Sequence, residues 1–250
     1  MATSNDYICG INPVLEQLKN SPEKIDKIYI RKNTTIKNIE TIQNLASANR
    51  IPVINVPGSK ISELSGDVNS QGIVASVSQI RYQSFTNWLD TSTPDAETAI
   101  LLLDEIEDPH NLGAILRTAA AAGIAAVLVP KHRQAPVSAA VMKTSAGTAG
   151  RIPIVRIGNL NQTISELKDL GFWVAGLDQT AGSRIWDQTY DVPMAFIIGN
   201  EGRGMRKKTS EHCDFLLSIP MKNDVESLNA SVSASLVCYE WRRQKEMTQK

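Results

Sequence analysis

Cysteine is scarce in this chain, with only Cys9, Cys213 and Cys238 among 250 residues. Three thiols, far apart and in no ligand spacing, exclude a disulfide framework and a thiolate metal centre. They point to unpaired cysteines in a reducing, cytoplasmic compartment. An excess of either charge is also lacking, since 26 Lys and Arg balance 26 Asp and Glu. Such a chain has no global field with which to coat nucleic acid. Residues 1–82 carry nine basic and seven acidic side chains, and residues 83–250 carry seventeen and nineteen. Any contact with nucleic acid must therefore come from local patches. No apolar run is long enough to cross a bilayer, so no membrane partner is expected. Polar Thr3, Ser4, Asn5 and Asp6 precede any apolar run, so the start does not read as a signal peptide.

What is present is an ordinary globular composition, 42% hydrophobic, arranged in regular alternation. Val14, Leu15 and Leu18 share one helical face, and Ile28-Tyr29-Ile30 reads as a strand. Ile36, Ile39, Ile42, Leu45 and Ala46 form a stripe of period 3.6, followed by a strand at 52–56, a short helix at 59–64 and a strand at 72–78. This is an α-β-α-β-α-β unit, taken as domain 1–82. Residues 83–98 lose the apolar period and are rich in Ser, Thr and Asp, which predicts a linker. From 99 to 250 the alternation resumes. Unbroken apolar strands are expected at 100–103, 124–129, 152–155, 172–176, 194–198 and 215–219. Helices are expected at 111–122, 160–170 and 228–244. Apolar strands between helices indicate an α/β domain with a mostly parallel sheet covered on both faces.

Three stretches follow strands and could carry chemistry. In Asp104-Glu105-Ile106-Glu107-Asp108-Pro109-His110-Asn111-Leu112-Gly113, an acidic loop leads into a helix that Asn111 could cap. Arg117 lies nearly two turns further, within reach of the loop end. In Gly199-Asn200-Glu201-Gly202-Arg203-Gly204, three glycines allow either a tight turn or close approach to a ligand. Their order differs from the dinucleotide fingerprint, and no Walker lysine follows. The basic residues Arg203, Arg206, Lys207 and Lys208 come next, as a phosphate contact or a solvated helix face. In Ser227-Leu228-Asn229-Ala230-Ser231, Ser and Asn are ordinary helix caps. No metal cluster and no Ser-His-Asp order appears, so no metal is expected. Each stretch taken alone stays ambiguous.

Together they do not. Asn111-x-Gly113-x-x-x-Arg117, Gly199-Asn200-Glu201-Gly202, and Ile219-Pro220-Met221 with Ser227-Leu228-Asn229-x-Ser231 resemble the three motifs of the SpoU (TrmH-like) RNA ribose methyltransferases in order and spacing. The resemblance covers residues 99–250. Gly10-Ile11-Asn12-Pro13-Val14 and Ser70-Gln71-Gly72-Ile73-Val74 are similar to the small RNA-binding domain of the ribosomal RNA branch, with Asn12 and Ser70 standing where that branch usually has His.

The resemblance implies a C-terminal trefoil knot, a rare exception to the rule against threaded connections, and a homodimer through the C-terminal domain. It implies S-adenosylmethionine as cofactor, with Gly199, Ile219 and Leu228 lining its pocket. Asn111, Arg117, Glu201, Ser227 and Asn229 would form the polar reaction centre. The RNA would meet Arg31, Lys32 and Gln71 in the first domain and Arg203 and Arg206 in the second. The implied reaction is 2′-O-methylation of a ribose, that of a guanosine in large-subunit ribosomal RNA. A tRNA ribose methyltransferase and a non-catalytic RNA-binding assembly factor are the alternatives.

Overall fold

The computed structural model describes residues 7–32, 38–66, 68–78, 80, 82–223 and 225–248. Ile36 of the predicted helical stripe lies outside the described residues. The chain forms two compact units, residues 1–81 with 136–139, and residues 82–135 with 140–250.

The first unit contains β1 (Tyr7–Cys9), α1 (Ile11–Asn20), β2 (Ile25–Arg31), α2 (Ile39–Ala48), β3 (Val53–Val56), α3 (Gly58–Ser65) and β4 (Ile73–Val77). Its sheet runs β1-β4-β2-β3, with β2 and β3 parallel and the other pairs antiparallel. Val14 and Leu18 of α1 and Ile42 and Ala46 of α2 meet Ile28, Ile30, Ile73 and Ala75 from the sheet in one core. The helical period and the strand alternation each put their apolar side on that core. β1 is absent from the sequence reading, because three residues before a glycine are too few for a periodic signal.

The second unit begins with β5 (Gln83–Ser84) and α4 (Phe85–Thr91), where a linker was expected. Ser84 Oγ accepts the Asn87 N–H at 3.1 Å and caps the helix. Phe85, Trp88 and Leu89, at positions i, i+3 and i+4, turn inward, and Trp88 is buried in the core of the unit. Gln83 and Ser84 pair with residues of a later strand, Val155 and Arg156. Residues 83–91 are therefore a folded edge; seven helical residues with one inward stripe leave too little pattern among the Ser, Thr and Asp.

The rest comprises β6 (Ala99–Leu103), α5 (Pro109–Ala122), β7 (Ala126–Pro130), α6 (Ala139–Thr144), β8 (Ile154–Ile157), α7 (Leu160–Asp169), β9 (Trp173–Leu177), β10 (Ser183–Arg184), β11 (Met194–Ile198), α8 (Lys207–Ser210), β12 (Phe215–Ser218) and α9 (Ala230–Thr248). The eight strands lie in the order β10-β12-β9-β11-β6-β7-β8-β5. Every pairing among them is parallel. β6 and β11 are buried at all five positions, which is why they read as unbroken apolar runs. From β6 the chain winds outward through β7 and β8. It then crosses to the other side, where β9, β11 and β12 are laid down. The order reverses between β6 and β11, and ligands in such sheets bind beyond the strand ends at that reversal.

Candidate active site

The loop after β6 enters α5 through Asp108 and Pro109. Asp108 Oδ1 accepts the His110 N–H at 3.0 Å, and Pro109 takes the first helical position. Asp108 is thus the cap, and the capping role expected for Asn111 is not observed: an Asp followed by Pro is the stronger helix start. Asn111 sits inside the first turn, 6% exposed. Its amide is free for tertiary use.

That amide meets the two other motif stretches. Asn111 Nδ2 donates to Glu201 Oε1 at 2.5 Å. Asn229 Nδ2 donates to Asn111 Oδ1 at 2.9 Å and also to Glu201 Oε1. The Ala230 N–H reaches the same carboxylate oxygen at 3.3 Å. Asn229 Oδ1 accepts the N–H and Oγ–H of Ser231, at 2.9 and 2.6 Å, capping α9. One carboxylate therefore sits at a helix N-terminus with two amides on it, an arrangement that fixes three loops together. Asn111, Glu201 and Asn229 close into one hydrogen-bonded triangle.

The glycine segment after β11 is a tight return. Asn200 and Gly204 exchange backbone hydrogen bonds at 3.0 and 2.8 Å, and Asn200 Oδ1 accepts the Gly202 N–H at 3.0 Å. Gly204 has φ 65°. A Cβ on Gly199 would lie 2.5 Å from Gly204 C and 2.8 Å from its oxygen, and would strike Met205 N as well. Gly199 is glycine because its own loop folds back over it. Behind the return, Gly176 of β9 leaves room for Met205, Cys213 and Leu216, and burial pushes the Cys213 thiol up to about 12.

Arg203 and Arg206 do not extend from the return as a free basic edge. Arg206 pairs with the buried Asp104 carboxylate at 2.8 Å, and its backbone N–H donates to the other oxygen at 3.1 Å. Arg203 pairs with Glu105 and Glu107 at 3.3 and 3.4 Å, and Arg133 with Glu105 at 3.2 Å. Asn200 Nδ2 donates to the Glu105 carbonyl at 2.9 Å. The acidic loop 104–107 thus clasps the glycine return. Asp104 and Glu105 are buried, whereas Glu107 is exposed; burying those two carboxylates without their partners would cost several kcal/mol each (about 3–5).

A cavity of about 360 Å3 lies beside the triangle. Glu201, Gly199, Arg203, Ile219, Ser227 and Leu228 of the sequence-chosen residues line it, with Leu177, Gln179, Thr180, Leu217, Met221 and Glu226. None of the last six was chosen as a site residue, although Met221 belongs to the third motif; for Leu177, Gln179 and Thr180 the signal available was that 177–180 ends a buried strand next to β11. The Arg117 side chain is exposed on α5 and forms no hydrogen bond or ion pair with another described residue; the neighbouring Thr118 Oγ1 lies 3.0 Å from Ser235 Oγ of α9. In the first unit, Arg31 and Lys32 are exposed at the end of β2. Gln71 Oε1 instead accepts the Ile11 N–H at 3.1 Å and closes the start of α1. Gln71 thus has a structural task beside the RNA contact expected of it.

These features can be set beside known proteins. The pattern of the SpoU rRNA Methylase family matches residues 98–239, and that of the RNA 2′-O ribose methyltransferase substrate binding domain matches residues 7–83. The chain belongs to the SpoU rRNA methylase family. It is an RNA methyltransferase with an N-terminal substrate-binding domain. A Bacillus subtilis protein named as a TrmH family tRNA/rRNA methyltransferase, YacO, is 37% identical over 98% of both chains. The Xanthomonas campestris 23S rRNA (guanosine-2′-O-)-methyltransferase RlmB is 35% identical, covering 98% of this chain and 99% of its own. The crystal structure of the SpoU methyltransferase AviRb from Streptomyces viridochromogenes, in complex with AdoMet, shares the fold. Its TM-score is 0.61 at 21% identity, over 96% of this chain and 90% of AviRb.

Proposed function

We propose that this chain methylates the 2′-hydroxyl of a guanosine ribose in large-subunit ribosomal RNA, using S-adenosylmethionine. The observation that carries the reading is the Asn111–Glu201–Asn229 triangle at the edge of the cavity. The cavity fits the cofactor in size and in chemistry. Leu177, Ile198, Leu217 and Leu228 offer apolar cover for a base, and Glu226 and Asp178 offer carboxylates for hydroxyl and ammonium groups. Bound there, S-adenosylmethionine supplies the methyl group and a sulfonium leaving group, so no metal is required.

The chain's own residues position and stabilise. The triangle holds the loops after β6, β11 and β12 in one arrangement, which is where alignment of the reacting groups is set. Ser227 contacts cofactor or ribose. Arg117 presents a planar, positively charged fork of donors. It binds the phosphate next to the target ribose and stabilises charge developing on the 2′-oxygen, while that phosphate or water takes the proton. Arg31 and Lys32 contact RNA from the first domain.

A second copy of the chain covers the exposed Val232, Leu236 and Tyr239 stripe of α9 with Trp186, which lines a groove of about 530 Å3; patches of this kind mark association surfaces. The knot is supported by the strand order β12-β9-β11 at one side of the sheet and by α9 returning onto α5. A cytoplasmic setting agrees with three cysteines that form no disulfide.

The test is methyl transfer from labelled cofactor to ribosomal RNA, with 2′-O-methyl mapping in a deletion strain. Loss of one guanosine mark in large-subunit RNA is expected. A mark lost from tRNA would replace the substrate, and cofactor binding without transfer to any RNA would replace the enzyme by a binding factor. Arg117→Lys should slow single turnover by about tenfold or more with RNA bound as tightly. A near-normal rate would remove Arg117 from that role.

A further inference from the structure

We infer that the seam between α5 and the α6–151 segment is a track that grips backbone phosphates of the RNA strand; the inference rests on the proposed function. His110, Gly113 and Arg117 are spaced i, i+3, i+7 and so form one stripe along α5. Gly113 lets α6 close on that stripe. A Cβ there would lie 2.7 Å from Thr144 Cβ and 3.0 Å from the Val141 carbonyl. His110 Nδ1 and Thr144 Oγ1, 3.2 Å apart, pin the same contact. Lys143 precedes Thr144 in the last turn of α6, and Arg151 ends the 3-10 turn Thr148–Arg151, which also packs on α5. Arg117, Lys143 and Arg151 are thereby drawn to one seam.

All three side chains are exposed, and none has a carboxylate partner among the described residues. The contrast with Arg133, Arg203 and Arg206 is direct, because those three neutralise the acidic loop. Lys143 and Arg151, exposed and without a carboxylate partner beside the residue assigned to the target phosphate, are available to anions from outside. A second copy of the chain is the less suitable occupant. None of the exposed large apolar side chains lies on α5, α6 or the 148–151 turn, whereas four belong to α9. The backbone donors of residues 146–148 are used within the turn, so side chains must hold the ligand. That fits a phosphodiester strand met by long flexible cations.

The test uses the full-length protein and a transcript of large-subunit ribosomal RNA, with affinity measured across a KCl series. Lys143→Glu with Arg151→Glu should weaken binding at least tenfold. It should also flatten the slope of log affinity against log salt by about 1.4, two phosphate contacts on a single strand. Calorimetric affinity for S-adenosylmethionine and the circular dichroism spectrum should stay as in the parent, and the double alanine variant should show a smaller loss of the same kind. Unchanged affinity and slope would overturn the track. So would an equal loss in Lys207→Glu with Lys208→Glu, which would reveal a general field effect. A shifted sedimentation mass with RNA affinity intact would make the seam a subunit contact instead. A parent protein that neither binds nor methylates RNA would end the function proposal and the track together, whereas an active parent indifferent to the seam would end the track alone.

Discussion

Gly199→Ala distinguishes two reasons for a glycine that the sequence cannot separate. If the glycine serves a ligand, the added methyl matters when the ligand binds. If it serves the loop, the methyl matters in the protein alone. The geometry favours the second, since the new Cβ would sit 2.5 Å from Gly204 C and 2.8 Å from Gly204 O. Ordinary carbon contacts are about 3.5–4.0 Å, so the overlap is about 1 Å, and it falls on backbone, where no rotamer change relieves it. The return is also held by the Asn200–Gly204 bonds and by Arg206 on Asp104, so it cannot lift away cheaply. Overpacking of this kind costs about 1–3 kcal/mol, and the upper end is expected here. For a unit of this size that lowers Tm by roughly 6–12 °C. Thermal unfolding of the ligand-free protein, followed by circular dichroism and by calorimetry, is the assay. An alanine variant that melts within a degree or two of its parent, yet has lost cofactor affinity, would refute the packing argument and restore the ligand one.

Other perturbations address the triangle and the thiols. Glu201→Ala removes the acceptor of two amides and of the Ala230 N–H. Since Glu201 is exposed and water replaces part of the loss, urea midpoints should report only about 1–2 kcal/mol. Single-turnover methyl transfer should fall on the order of a hundredfold as alignment is lost; equal small losses in both would deny it a role in positioning. Burial lifts the thiols of Cys213 and Cys238 to about 12 and raises that of Cys9. A raised thiol pKa means less thiolate below it, roughly one part in ten thousand at pH 8 for the first two. Iodoacetamide at pH 8 should therefore label Cys9 first and leave the other two unlabelled until urea is added. Prompt native labelling of Cys213, read by peptide mass spectrometry, would contradict its packing behind the glycine return.

What the sequence revealed and what it hid have separate physical causes. β6 and β11 were legible because strands buried on both faces must be apolar at every position, and few other elements are. The triangle was legible only as a combination, since Asn111, Glu201 and Asn229 each have an ordinary explanation alone. Partners were not legible at all. Arg203 and Arg206 look like a basic surface until the fold brings Asp104, Glu105 and Glu107, about a hundred positions earlier, against them. Similarly, Gln71 looks like a loop residue until Ile11 is found on its carbonyl oxygen, sixty positions away. α4 was missed for want of length, not of logic. Its three inward residues obey the helical period, but two turns give the pattern no chance to repeat.

The three corners of the triangle are also far apart along the chain: Asn111 is 90 positions from Glu201 and 118 from Asn229. Closing such long loops costs entropy before any bond repays it, and contacts of this span form late in folding. During synthesis, Asn111 and its helix leave the ribosome well before Asn229 exists. The pocket edge therefore has no fixed shape until residue 229 has emerged and α9 has docked on α5. A chain stalled before that point can carry a complete substrate-binding domain and still be unable to modify what it holds.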